Sequence, residues 1–428
     1  MNFVRKMGQI MYLGARAHAD WEIEMAGNIL RSRKRLMVLG LLILPILIFG
    51  VVFAEDVASG LPHMIGSKTA LAPSFFTIGI FVSSILIGLC AGLITGCIGA
   101  GGGFIIAPAL MSAGIKGILA VGTDLFHIFA KAIMGSVLHK KLGNISVSLA
   151  IIFLIGSIGG ASLGGLLNRF LYDLNPIISD AFITTIYVFM LGALGAYSLI
   201  DYLQARKAPD GGSGDAHGGN VEGAEMGNLP KKLQAINLPP MVTFDQGLVP
   251  GGRQISSWFL ILSGFFVGLA AAIMGVGGGF LTFPIFVYVL GVSSMTTVGT
   301  DIFQIIFTAG YAGIGQYAVY GFIFYTLAMG MLLGSLLGIQ IGAMATKVVK
   351  GITIRGFYAL AVLAGFINRF FALPKKLSEV GAFPLSKETA KILDFIGIWS
   401  FFIIISIFAI WVIGTFLMNI KKLKGEEV

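Results

Sequence analysis

The sequence predicts an all-α polytopic integral membrane protein: two inverted-topology repeats with glycine-broken helices, plus one extra transmembrane helix at each end. Three observations carry this prediction. Apolar runs recur from residue 36 to residue 419 of a 428-residue chain that is 56% hydrophobic and 11% charged. Motifs of the first half return in order in the second. The basic residues gather at the ends of the apolar runs, the pattern of membrane topology and not of a nucleic-acid surface, although the net charge is +9.

The elements follow in order. Residues 1–35 are polar and read as a cytosolic tail. Residues 36–54 form an apolar run long enough to span, and the tail before it argues against a signal peptide. A first repeat occupies 75–203, with spans near 75–98, 104–115, 118–138, 145–167 and 177–203. Residues 204–255 contain GGSGDAHGGN and a Pro-Pro pair, and read as a flexible cytosolic linker. A second repeat occupies 256–371, with spans near 256–276, 280–291, 295–318, 321–346 and 352–371. A loop at 372–394, an extra span at 395–419 and a basic cytosolic tail at 420–428 complete the chain.

The duplication rests on three ordered matches. GAGGGFIIAP at 99–108 returns as GVGGGFLTFP at 275–284, and VGTDLF at 121–126 returns as VGTDIF at 298–303. Gly156–Ser157, Gly160 and Gly164 return as Gly334–Ser335, Gly338 and Gly342. The segment after each glycine cluster has about twelve residues, short for a span of roughly twenty, so it either crosses or re-enters. Counted as crossing, it gives five crossings per half and places 20 Lys/Arg inside against 8 outside. Counted as re-entrant, it gives 15 against 13, so the charge rule favours five. The Lys375–Lys391 stretch falls outside either way. An odd number turns the second half upside down, the architecture that lets two halves open alternately to each side.

Chemistry concentrates in two constellations. Consecutive glycines each weaken a helix by about 1 kcal/mol, so a break is expected at Gly101, Gly102 and Gly103 and at Gly277, Gly278 and Gly279. The helix starting after each break would turn free N–H groups and a partial positive charge toward an anion. The alternative is close packing, the reading for Gly88 and Gly195. Neither cluster has the Lys-Ser/Thr or the spacing of a nucleotide loop. The second constellation is Thr123, Asp124, His127 and Lys131, the last three at i, i+3 and i+7 on one helical face, matched by Thr300, Asp301 and Gln304, with Thr308 in the place of Lys131. Charges in a membrane helix face a cavity or one another. Capping of their own helix by Thr123–Asp124 and Thr300–Asp301, and an internal Asp124–Lys131 pair, are the structural alternatives. His127 and Asp124 are candidates for carrying protons if transport is ion-coupled. Cys90 and Cys97 lie within one apolar run with no metal-ligand or redox spacing, and read as packing residues.

These paired motifs resemble the sulfite exporter TauE/SafE family, over about residues 75–202 and 256–371. The LHKKLGNIS stretch adds to the likeness. The resemblance implies a permease of a bacterial or archaeal inner membrane, moving sulfite, a sulfonate or a related small anion, with Gly101, Gly102, Gly103, Thr123, Gly277, Gly278, Gly279 and Thr300 on the family's motif positions. Asp after each GT, where many members have Ser, the long linker and the extra spans are departures that bear on the substrate. The expected function is therefore export of such an anion by a secondary transporter with both termini cytoplasmic. Uptake of another anion and an anion channel are the alternatives. An enzyme is disfavoured, because only five histidines are present and two of them lie in the tail and linker. No cofactor or nucleic-acid partner is expected.

Overall fold

The computed structural model describes residues 78–98, 102–141, 145–207, 228–245, 251–346, 348–349 and 351–419. Gly101, the predicted span at 36–54, the tails 1–35 and 420–428 and the middle of the linker lie outside the described residues. Among the described residues, eight helices are long and apolar enough to cross a membrane.

The first half contains α1 (Ile78–Ile98), α2 (Gly103–Ser112), α3 (Gly117–Lys141), α4 (Val147–Leu174) and α5 (Pro176–Lys207). After a short α6 (Asn228–Gln234), strands β1 (Met241–Phe244) and β2 (Arg253–Ser256) pair as an antiparallel hairpin, Met241 opposite Ser256. The second half contains α7 (Ser257–Met274), α8 (Gly279–Pro284, continuing as π-helix Ile285–Leu290) and α9 (Ser294–Gly310, continuing as π-helix Tyr311–Tyr317). Then come α10 (Tyr325–Ala345), α11 (Gly351–Val380) and α12 (Lys387–Met418). Helices do break at the second glycine cluster: α7 ends on Gly275 (φ 80°), and Gly277 (φ 67°) and Gly278 (φ 88°) lead into α8. Gly102 (φ 52°) leads into α2 in the same way. This left-handed backbone costs an L-residue about 1–2 kcal/mol, which explains glycine at these positions.

The halves pack by exchanging partners. α1 lies along α10, with Gly88 against Met331, Gly92 against Ser335 and Gly338, and Gly96 against Ile339 and Ala343. α4 lies along α7, with Gly156 against Ile261, Gly160 against Phe265 and Gly164 against Leu269 and Ala272. Positions rise together in both pairs, so each pair is parallel. At every one of these glycines, a Cβ would press on backbone atoms of the neighbour; this is the small-residue packing that brings membrane helices close. α3 crosses α9 the other way: Phe129 meets Gly310, Phe126 meets Gly313, and Gly122 meets Tyr317 and Phe322. α5 and α11 are antiparallel too, with Gly192 against Phe366, Gly195 against Leu363 and Gly356 against Tyr202. The short α2 is buried over Gly103–Leu110.

Three expectations need correction. The linker end at 228–255 is folded, because Val242, Phe244 and Ile255 bury against Leu149, Phe153, Phe286, Leu290 and Val292. Asp245 ties the hairpin to the α8–α9 turn by accepting from Ser293 N (2.9 Å) and Ser293 Oγ (2.8 Å). The predicted loop at 372–394 is mostly helical, with only 381–386 connecting α11 to α12. Lys375–Asp394 (2.5 Å) and Lys376–Asp180 (3.2 Å) hold those extensions, so a charged stretch that looked like a loop is a paired helix end. The third correction concerns the two VGT motifs, which lie inside helices and do not cap their own.

Candidate functional site

The threonines of those motifs cap helices of the opposite half. Thr123 Oγ1, on α3, accepts from Phe324 N (2.9 Å), directly ahead of α10. Thr300 Oγ1, on α9, accepts from Ser146 N (3.0 Å), directly ahead of α4. A helix start leaves its first N–H groups without intrahelical partners, and each VGT threonine satisfies one.

Deeper along the same helices run two polar chains. In the second half, Gln304 Nε2 donates to Asp301 Oδ1 (2.9 Å), Thr308 Oγ1 donates to Gln304 Oε1 (2.7 Å), and Ser157 of α4 meets Thr308 (2.7 Å). Asp301 Oδ2 also lies close over Gly279, where a Cβ would come within 3.0 Å, so the start of α8 already carries a carboxylate of this chain. In the first half, His127 Nε2 pairs with Ser335 Oγ of α10 (2.8 Å), and Ser335 donates to Gly88 O (3.1 Å). Asp124 Oδ1 stands 3.6 Å from His127 Nδ1. Both residues are fully buried, and neither Asp124 oxygen nor His127 Nδ1 has a hydrogen-bond partner of normal geometry.

Lys131 is only half-buried. Its ammonium donates to Thr95 Oγ1 (3.4 Å), and that hydroxyl lies 2.6 Å from where a Cβ of Gly102 would sit. Lys131 and Asp124 act on each other electrostatically. The predicted cation and the first glycine break therefore share one neighbourhood, joined by a threonine that sequence reasoning missed. The two breaks also touch: a Cβ on Gly103 would lie 3.0 Å from Val276 Cα, and Ile128 packs on Gly277.

The carbonyls freed at the end of α7 are closed by protein groups. Tyr317 donates to Ala272 O (2.6 Å), Asn168 to Ile273 O (3.1 Å) and Tyr187 to Met274 O. Asn168, Tyr187 and Tyr317 carried no motif, though a lone asparagine in an apolar run was a usable signal. Buried Arg369 on α11 holds the far end of α2 through Pro108 O (3.2 Å) and Ser112 Oγ (2.7 Å). Among the described residues, no group of three or more His, Cys, Asp or Glu could hold a metal ion. Cys97 donates to Gly342 O (3.4 Å), in keeping with a packing role.

Comparison with known proteins identifies the family. The family model described as sulfite exporter TauE/SafE matches residues 84–369, more than half of the chain. The probable membrane transporter protein YjnA of Bacillus subtilis (strain 168) is 29% identical over 268 residues, covering 61% of this chain and 89% of that protein. YunE of the same organism, also a probable membrane transporter protein, is 25% identical over 64% of this chain and 91% of its own. YdhB, described in the same words, is 24% identical over 67% and 99%. No solved structure matches this chain.

Proposed function

Because this chain belongs to the sulfite exporter TauE/SafE family and is a multi-pass membrane transporter, we propose that it works as a secondary transporter exporting a small anion: sulfite, a sulfonate or a related sulfur-containing or organic anion. The observation that carries this reading is the meeting of Lys131, Thr95 and Gly102. It puts a cation beside the start of α2, positioned by the Thr95 oxygen, whose own hydrogen goes to Ala91 O (2.8 Å); the ammonium's other N–H groups suit an oxyanion. The second glycine cluster is the lesser candidate, because Asp301 already occupies the space over Gly279.

The alternating mechanism takes its support from helix directions. Equivalent helices α3 and α9 run antiparallel, as do α5 and α11, while α1 follows α10 and α4 follows α7. Two copies in the same orientation would run their equivalent helices parallel. These directions support the reading of one copy turned over, the inverted repeat on which rocking-type transporters are built. Both termini and the linker are placed in the cytoplasm by the charge asymmetry, and the membrane is the cytoplasmic one.

The test is counterflow in proteoliposomes, using labelled sulfite and labelled 2-hydroxyethanesulfonate. Saturable exchange of either anion, abolished by Lys131→Met, is the expected result. Unsaturable flux would indicate a channel. Saturable uptake driven only from the outer face would favour the importer reading.

A further inference from the structure

We propose that Asp124 is a proton site which alternates with the substrate as partner of Lys131, so that each monoanion travels with one proton. The inference rests on the anion-transport reading and names its coupling ion. Its basis is a difference between equivalent carboxylates. Asp301 is held by Gln304 at 2.9 Å, whereas Asp124 is fully buried and receives no hydrogen bond of normal geometry on either oxygen. The backbone N–H of Ala107 is the one donor that leans toward Asp124, and it does so outside normal hydrogen-bond geometry; a buried carboxylate so poorly supplied relies on a nearby cation or on neutralisation by a proton. When an anion takes Lys131, only the second remains.

A proton on Asp124 has an acceptor waiting. Ser335 gives its hydroxyl hydrogen to Gly88 O, which can only accept. Its oxygen is then the acceptor for His127 Nε2 at 2.8 Å, which places the hydrogen of neutral His127 on Nε2. The Nδ1 lone pair is left unpartnered, 3.6 Å from Asp124 Oδ1. A carboxylic O–H on Asp124 would face that lone pair and needs an approach of about half an ångström to bond it; a carboxylate leaves two acceptors facing each other.

The remaining titratable groups near Asp124 are already engaged or neutral. Tyr187 of α5 spends its hydroxyl on Met274 O, and Arg369 of α11 is held by Pro108, Ser112 and Asn368. Tyr317, after α9, donates to Ala272 O, Tyr325 of α10 packs its ring on Phe126, and Asp301 is bonded to Gln304. From α4, Arg169 binds Gln316 and Tyr172 accepts from Lys116. Neither α2 nor α7 contributes an Asp, Glu, His, Cys, Tyr, Lys or Arg.

The balance closes. The empty site holds Asp124 carboxylate under the field of Lys131 ammonium, without direct contact between them, net zero. The loaded site holds Asp124 as the acid, Lys131 ammonium and one monoanion, again net zero, and the proton comes from water on the open side. Transport of a monoanion is then electroneutral. An anion leaving down its own gradient carries a proton out with it, and an inward proton gradient favours uptake.

The test uses the full chain in proteoliposomes with labelled 2-hydroxyethanesulfonate, a sulfonate that keeps its charge at neutral pH and so does not ferry the proton itself. One unit of pH difference should support about tenfold accumulation by the wild type. Internal dye should record one proton per sulfonate, and an imposed membrane potential should change nothing. Asp124→Asn, whose amide can donate to His127 Nδ1, should lose accumulation and proton uptake while exchange continues at a reduced rate. Accumulation by Asp124→Asn, or wild-type sulfonate uptake without protons, would overturn the proposal while leaving anion transport standing. Wild-type liposomes without any sulfonate counterflow would overturn both. The wild-type stoichiometry decides the matter even if the variant does not fold.

Discussion

Thr300 on α9 accepts a hydrogen bond from the backbone N–H of Ser146 at 3.0 Å, across 154 positions of sequence. Thr123 makes the matching bond to Phe324 across 201 positions. Each half thus supplies the cap for a helix of the other. Thr123→Val and Thr300→Val should each lower stability by about 1–2 kcal/mol through a buried, unpaired N–H. Thr→Ser should retain most of the bond. Thermal unfolding of the purified variants in detergent checks this; unchanged midpoints for both Val variants would mean that the amides find other partners.

The glycine seams give a contrast between positions. Gly160→Ala and Gly338→Ala force a methyl group onto backbone of the facing helix and should cost roughly 1–3 kcal/mol each, with loss of monodisperse protein. Gly79→Ala and Gly414→Ala place the same methyl in open space and should leave yield intact. Size-exclusion profiles of the four variants decide it.

At the breaks, backbone conformation adds to crowding. Gly278→Leu meets a φ of 88° and the Val267 side chain, and Gly102→Leu meets a φ of 52° and the Thr95 hydroxyl. Both should abolish anion flux in liposomes. Since Gly102 adjoins the Lys131 neighbourhood, Gly102→Ala should also weaken apparent affinity, whereas Gly278→Ala should act mainly on stability. Normal flux by both leucine variants would make the clusters packing features only.

Lys131 can be separated from Asp124 by a double-mutant cycle. Lys131→Met leaves Asp124 without its cation and should reduce folded yield, by up to about 3–5 kcal/mol where the carboxyl stays charged. Adding Asp124→Asn should restore the yield but not the transport. Recovery of full transport with unaltered affinity by the double variant would assign Lys131 to charge neutralisation alone.

Topology is open to direct labelling. On a background lacking Cys90 and Cys97, a cysteine introduced within residues 208–227 should react with an impermeant reagent only after the cells are opened. Labelling of intact cells would reverse the orientation argued from charge.

The features legible in the sequence were local ones. Three glycines in a row mark a helix break whatever surrounds them, and Gly102 and Gly278 adopt the left-handed backbone that only glycine takes easily. Lys131 stood out because a cation in an apolar run must be accounted for. The illegible features depend on one half meeting the other. The partners of Thr123 and Thr300 are amides on the opposite half, so a motif that looked like self-capping is a cross-half cap. Ser157 and Ser335 were visible as repeated Gly-Ser pairs, but their bonds to Thr308 and His127 follow from helix packing alone. The hairpin at 241–256 escaped notice because its buried residues Val242, Phe244 and Ile255 find their core in α4 and the α8 region, far from them in sequence.

The exchange of helices between halves also sets an order of events during synthesis. Gly88 of α1 meets Ser335 of α10, 247 residues later. At 5–20 residues per second, roughly 12–50 s separate the emergence of the two from the ribosome. Through that interval the glycine stripe of α1 has only lipid, or the insertion machinery, to face. A nascent chain halted in the linker would hold α1 and α4 with neither permanent partner made, and quality-control proteases would meet it in that state.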